Sequence, residues 1–170
     1  MASTDWPSSL VADREPGAVG PLITAMARAH RAMGQRLLQG TGLRTGQELV
    51  IMLLGDSPGQ SQAEITRWLR VEPPTTAKML ARLERGGFVE RVRSVDDRRI
   101  MLVSLTEQGR SLHQHVRSLW NELNEITIAG LNERDQQELE RLLLRVLKNL
   151  TPASSHEDLP EDLDSRPSRE

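Results

Sequence analysis

The sequence predicts a mainly α-helical protein interrupted by one small β-hairpin, and three observations carry that expectation. The 170 residues are rich in Leu, Arg, Glu, Ala and Gln, with one Phe, no Tyr and few Val/Ile runs, a composition that favours helix over sheet. Apolar residues recur at helical spacing along most of the chain. Only from Phe88 to Val92 and from Ile100 to Leu105 does the pattern shift to near alternation, the period of a strand. A chain of this length buries one ordinary core, so one domain with loose ends is expected.

Residues 1–18 mix Ser, Pro, Asp and Gly with little periodicity and read as a disordered N-terminal segment. From Pro21, the residues Leu22, Met26, Ala29, Met33 and Leu37 make one stripe of a first helix, over about 21–39, that Pro21 begins and Gly40 ends. After Gly40-Thr41-Gly42, Thr45 is expected to cap a short second helix with Leu49, Met52 and Leu53 on its apolar face, ending around Gly55 to Gly59. Ser61 stands three residues before Glu64, the spacing of a capping box, and opens a third helix carrying Ile65, Trp68 and Leu69. Val71 and Glu72 form a tight turn. Pro73-Pro74 suits the first turn of a fourth helix, which Thr76, Met79, Leu80 and Leu83 continue until Gly86-Gly87. The hairpin follows, with Ser94 to Arg99 at its tip. Thr106 begins a long helix with Leu112, Val116, Leu119, Leu123 and Ile126 on one stripe, broken at Gly130. A last helix is expected to bury Leu139, Leu142, Leu143, Val146, Leu147 and Leu150. Residues 151–170, with Pro152, Pro160, Pro167 and clustered acids, read as a disordered acidic tail.

The formal net charge of −2 gives no overall pull toward nucleic acid, so only a local surplus could. Residues 61–99 supply one: Arg67, Arg70, Lys78, Arg82, Arg85, Arg91, Arg93, Arg98 and Arg99 outnumber Glu64, Glu72, Glu84, Glu90, Asp96 and Asp97. No cysteine is present, which excludes disulfides, thiolate zinc fingers and a cysteine redox switch. No apolar run approaches a membrane span, and the acidic start lacks the regions of a signal peptide, so a cytoplasmic protein with no membrane partner is expected.

Helix, tight turn, helix and hairpin is the order of a winged helix-turn-helix, in which the second helix of the pair enters the major groove. Lys78 and Arg82 lie four residues apart on that helix while Arg98 and Arg99 crowd the hairpin tip, so two basic elements flank one core. Three further stretches are specific: Gly42-Leu43-Arg44-Thr45 through Gln47; Leu83-Glu84-Arg85-Gly86-Gly87-Phe88-Val89; and Asp97-x-Arg99 followed by Leu105-Thr106-Glu107-Gln108-Gly109. In these the chain resembles the MarR-type transcription regulators, from about Pro21 to Leu150. The expected fold is therefore a winged helix-turn-helix lobe at about 44–105, with a helical dimerisation region at about 21–39 and 107–150, the whole spanning 19–150. The resemblance implies a homodimer acting on a pseudo-palindromic operator, more often as a repressor. The periodicity agrees, because the last two helices offer more apolar face than a small monomer could cover.

On the recognition helix Pro74, Thr75, Thr76, Lys78 and Met79 are expected to face base edges, where Lys donates to guanine and a threonine methyl touches thymine. Arg82, one turn later, is expected to reach phosphate or base. At the wing, Arg98 and Arg99 are candidates for the minor groove, whose narrow form favours arginine. Asp97 is expected to orient Arg99 through a bidentate pair and not to touch DNA. Ser61, Gln62, Thr66 and Arg67 on the preceding helix suit phosphate.

The resemblance also implies a small-molecule effector pocket, commonly for anionic aromatic compounds, and His30, Arg31 and Trp120 lie on helices that could line it. A zinc-responsive regulator using His30, His113 and His115 is the weaker variant, because positions two apart on a helix point away from each other. No cofactor is expected. No nucleophile beside a base, paired carboxylates in a cleft or phosphate loop is present, so no enzyme is expected. Four scattered aromatics, Trp6, Trp68, Phe88 and Trp120, make no stacking platform for RNA. The competing reading from another class is a winged-helix module that docks proteins instead of DNA.

Overall fold

The computed structural model of the chain describes residues 19–95 and 97–151. The expected disordered ends, 1–18 and nearly all of 151–170, lie outside the described residues. Two units result, divided between Thr127 and Ile128.

In the first unit, α1 (Val19–Leu37) is followed by α2 (Gln47–Asp56), β1 (Gln60–Ser61), α3 (Gln62–Leu69), α4 (Pro73–Arg85), β2 (Val89–Arg93), β3 (Met101–Leu105) and α5 (Glu107–Ile128). The fold is thus mainly helical with a small antiparallel sheet. The hairpin pairs Val89 with Leu105 through Arg93 with Met101. A third strand was not foreseen: β1 pairs Gln60 with Val103 and Ser61 with Leu102, giving the order β1-β3-β2. Two residues are too few for alternation to show.

The core sits where α2, α3, α4, the base of the hairpin and α5 meet. Val50, Ile51, Leu54, Ile65, Leu80, Leu83, Val89, Val103, Leu105 and Val116 are buried there. Leu80 and Leu83 follow Thr76 at i+4 and i+7, so α4 turns one narrow stripe inward and leaves the rest of its surface to solvent.

The stretch from Leu105 to Gly109 closes the base of the hairpin. Thr106 donates from its hydroxyl to the carbonyl of Gly87 at 2.6 Å and from its backbone N–H to that of Phe88 at 3.1 Å, while its Oγ1 accepts from Gly109 N at 3.0 Å. The hydroxyl makes two of these three bonds and the backbone the third. Gly109 is buried where a Cβ would run into the carbonyl oxygen of Phe88, so the first turn of α5 can approach the hairpin only without a side chain.

Several local expectations are corrected. Thr45 does not cap α2, since Gly46 occupies the N-cap in left-handed geometry without a side-chain bond; Thr45 accepts instead from Gln35 Nε2 at 2.9 Å. The turn between α3 and α4 begins at Arg70, which carries the left-handed conformation at φ 52°. On α1, Leu22 and Met26 of the expected stripe are exposed, while Met33 and Leu37 of that stripe, and Ile23, are half-buried.

The second unit holds α6 (Glu133–Leu150). Asn132 caps it, accepting from Asp135 N at 3.0 Å, and Glu138 pairs with Arg141 through two bonds of 2.8 and 2.6 Å. The expectation that this helix buries its leucines fails in the single chain. No residue of α6 is buried, and Leu142, Leu143, Leu147 and Leu150 are exposed.

Candidate nucleic-acid interface

Ser61 and Glu64 build the start of α3 as a capping box. Ser61 Oγ accepts from Glu64 N at 3.3 Å, and Glu64 Oε2 accepts from Ser61 N at 2.7 Å. Hydrogen bonding to Ser61, from the side chain first and the backbone second, holds the Glu64 carboxyl below the usual carboxylate range, with a smaller contribution from Arg67. Ser61 is thus occupied within the helix terminus. Gln62 is half-buried beside it, and Thr66 donates to the Gln62 carbonyl at 2.7 Å, leaving an oxygen lone pair for an outside donor. Arg67 is exposed at the last turn.

α4 starts at Pro73-Pro74, which fill positions whose N–H groups have no helical partner, and the carbonyl of Glu72 accepts from Thr75 N at 2.9 Å. Pro74, Thr75, Lys78 and Arg82 are exposed. Thr75, Lys78 and Arg82 recur at i, i+3 and i+7 and so share one face. Thr76 does not join them. It is 0% exposed, buried on the stripe of Leu80 and Leu83, and cannot face a groove. Met79 is half-buried; its carbonyl accepts from Gln47 Nε2 at 3.3 Å, and its methyl lies 2.9 Å from where a Cβ on Gly46 would stand.

The hairpin tip is held by its own bonds. Ser94 N donates to Ile100 O at 2.9 Å, Ile100 N to Asp97 O at 2.9 Å, and Arg99 N to Asp97 Oδ1 at 2.9 Å. Asp97 therefore fixes the backbone of Arg99, and the expected bidentate pair with the guanidinium is not formed: the carboxylate is taken by an N–H two residues on, as in an Asx turn. Arg98 and Arg99 are exposed, with no ion pair among the described residues. Val95, 96% exposed, adds an apolar side chain at the same tip. Below it, Arg91 pairs with Glu84 at 3.2 Å and ties β2 to α4.

Sequence reasoning missed a second basic feature. A polar cleft of about 420 Å³ beside α4 is lined by Arg44, Arg82 and Arg85, with Gln47 and the ring of Phe88. Arg44 and Arg85 were both in view, but one belongs to a loop that only the fold brings to α4.

On the same unit, His30 and Arg31 of α1 meet Trp120 of α5 around a cavity of about 390 Å³, also lined by Glu48 of α2. The rings of His30 and Trp120 lie 6.3 Å apart and tilted by 50°. The three zinc candidates are not brought together: His113 is buried against Gly55, its Nε2 3.7 Å from Asp56 Oδ1. No cluster of three His, Cys, Asp or Glu suited to a metal ion occurs among the described residues.

A helix-turn-helix followed by a two-stranded wing, with basic side chains exposed on both, defines a winged helix-turn-helix protein. Comparison with known proteins narrows the class. Residues 45–101 match the MarR family. The chain is 29% identical over 111 residues to the HTH-type transcriptional regulator BilQ of Clostridium symbiosum, covering 65% of this chain and 77% of that protein. It is also 29% identical over 133 residues to an HTH-type transcriptional repressor of Mycobacterium tuberculosis, covering 78% of this chain and 94% of the relative. Among solved structures, the transcriptional regulator SlyA superposes with a TM-score of 0.70 at 26% identity, covering 78% of this chain and 94% of that one. A mutant of MarR from E. coli, complexed with operator DNA, superposes at 0.68 with 25% identity, covering 76% and 93%. The stretch from α2 to the start of β3 thus matches the MarR family, and the fold of the chain is that of winged helix-turn-helix regulators of known structure.

Proposed function

We propose that the protein is a sequence-specific regulator of double-stranded DNA that acts in the cytoplasm as a homodimer on a pseudo-palindromic operator, represses transcription, is released by a small-molecule effector, and has no catalytic activity. One observation carries the reading: Thr75, Lys78 and Arg82 stand exposed on one face of α4 while Arg98 and Arg99 stand exposed at the tip of the wing. A positive helix for base edges and a positive finger for the narrow groove suit a duplex, and mixed-charge docking to a protein would not require both. The MarR structure with operator DNA supports the same docking.

In this arrangement Pro74, Thr75 and Lys78 read bases, Arg82 and Arg67 hold phosphate with Gln62 and Thr66, and Arg99 enters the minor groove on a backbone that Asp97 holds. Dimerisation is supported by the unpartnered apolar side chains of Leu22 and Met26 on α1 and of Leu142, Leu143, Leu147 and Leu150 on α6. A two-fold dimer requires half-sites one helical turn apart, roughly 34–36 Å. No helix among the described residues is long and apolar enough to cross a membrane. Footprinting on the DNA upstream of its own gene, with the mass of the free protein measured by light scattering, tests the reading. A protected pseudo-palindrome and a dimer mass are expected; a monomer that protects nothing and binds no duplex would overturn it.

A further inference from the structure

Glu48 stands in the first turn of α2 on the wall of the cavity that His30, Arg31 and Trp120 line. It is 8% exposed, and its Oε2 is enclosed without accepting a hydrogen bond among the described residues. A carboxylate oxygen left in that condition costs more than a neutral polar atom would, and a donor reaching it recovers that cost. Arg31, on the same wall, is exposed, so water screens its charge far more than that of Glu48. The rest of the lining is largely apolar, with Trp120, Leu119 and Leu123, and adds the uncharged polar side chains of Gln35 and Thr45 beside His30.

We propose that this cavity takes a compact cation, an aromatic amine or amidine whose N–H groups reach the carboxylate of Glu48 while its flat body lies against Trp120 and the leucines. An indole face attracts a cation as well as apolar surface. About 390 Å³ matches the lower end of small-molecule sites. The charge is opposite to that of the anionic aromatic compounds the family resemblance implies, because a ligand carboxylate would meet Glu48 unpaired.

The site is wired to the recognition helix through its own wall. Thr45 lines the cavity and accepts from Gln35 at 2.9 Å. Two residues on, Gln47 is buried, accepting from Arg44 N at 2.8 Å and donating to the carbonyl of Met79 on α4 at 3.3 Å. One turn of chain, 44–48, thus has the cavity on one side and α4 on the other. A small rotation of Glu48 toward a bound cation acts on the turn that seats α4, and so on duplex binding; this last step rests on the regulator reading above.

The test is calorimetric titration of the full chain with benzamidinium and with benzoate, which share size and planarity and differ in charge. Benzamidinium is expected to bind at least about tenfold more tightly than benzoate, and Glu48→Gln, which keeps the shape, to lose about tenfold for the cation alone. Benzamidinium is expected also to weaken duplex binding by the unmodified chain and not by the variant. Benzoate binding as well or better, or no binding of either, overturns the assignment; this comparison needs only the unmodified chain, whatever the variant's stability. Equal binding of benzamidinium by Glu48→Gln overturns the role of that carboxylate. A duplex affinity that ignores bound benzamidinium overturns the coupling while the regulator reading stands. Cation binding by a protein that binds no duplex upholds the site and overturns the regulator reading instead.

Discussion

Replacing Gly109 by alanine adds one methyl group at a place where the backbone of another element already lies. The new Cβ would run into the carbonyl oxygen of Phe88 and stand 3.2 Å from the Cβ of Leu105. That carbonyl cannot simply withdraw, because it accepts from Thr106 N at 3.1 Å, and Thr106 in turn holds Gly87 and Gly109. Overpacking a close backbone contact costs roughly 1–3 kcal/mol, and losing one hydrogen bond of the Thr106 set adds about 1 kcal/mol. A destabilisation of about 3 kcal/mol is expected, which lowers the melting temperature by roughly 6–12 °C for a chain of this size. Gly20 supplies the control, since a Cβ there meets nothing within 4 Å; Gly20→Ala should change stability by no more than about 1 kcal/mol. Denaturant and thermal unfolding of the three proteins measure both effects. A Gly109→Ala protein within about 0.5 kcal/mol of the unmodified chain, against the overpacking cost above, would refute the reasoning.

Four other substitutions probe the interface and its supports. Thr76→Val should leave duplex affinity unchanged and stability unchanged or slightly raised, because the residue is buried with Oγ1 accepting and donating nothing among the described residues; a large loss of affinity in gel-shift titration would put Thr76 back at the groove. Ser61→Ala should cost about 1 kcal/mol in denaturant unfolding. Since Glu64 is held ionised below the usual carboxylate range, its contribution is present above that range and is lost as pH falls through the lowered value, so the variant should lose stability less steeply in acid. An identical acid limb would show that the capping box carries no such linkage. Arg67→Ala should weaken binding by a similar factor on every duplex, whereas Lys78→Ala should also relax base preference by about 1–3 kcal/mol at one position, as selection from a randomised operator would reveal.

What the sequence disclosed, and what it did not, follows the range of the interactions. The Ser61–Glu64 box, the Pro73-Pro74 start of α4 and the hairpin lie within a few residues of chain, so spacing alone announces them. Thr76 was misplaced by nearness to the helix start, although its spacing to Leu80 and Leu83 already put it on the inward stripe. Asp97 meets the backbone N–H of Arg99 and not its guanidinium, a choice of atoms that residue types alone do not disclose. His30 and Trp120 are ninety residues apart and meet only because α1 and α5 pack on one lobe; Glu48, which shares their cavity, carries no local mark at all. The leucines of α6 show the converse. Their period is plain, but nothing among the described residues buries them.

The most direct measurement is the salt dependence of duplex affinity for the unmodified chain and for Lys78→Ala and Arg99→Ala. Neutralised phosphates release counterions, so log affinity should fall linearly with log salt, with a slope that shallows by up to about 0.9 for each phosphate contact a variant loses. A steep slope in the unmodified chain, with weaker binding in both variants and a shallower slope in Arg99→Ala, is the predicted result. Affinity that ignores salt, or that neither substitution changes, would contradict a docking in which α4 and the wing together hold DNA.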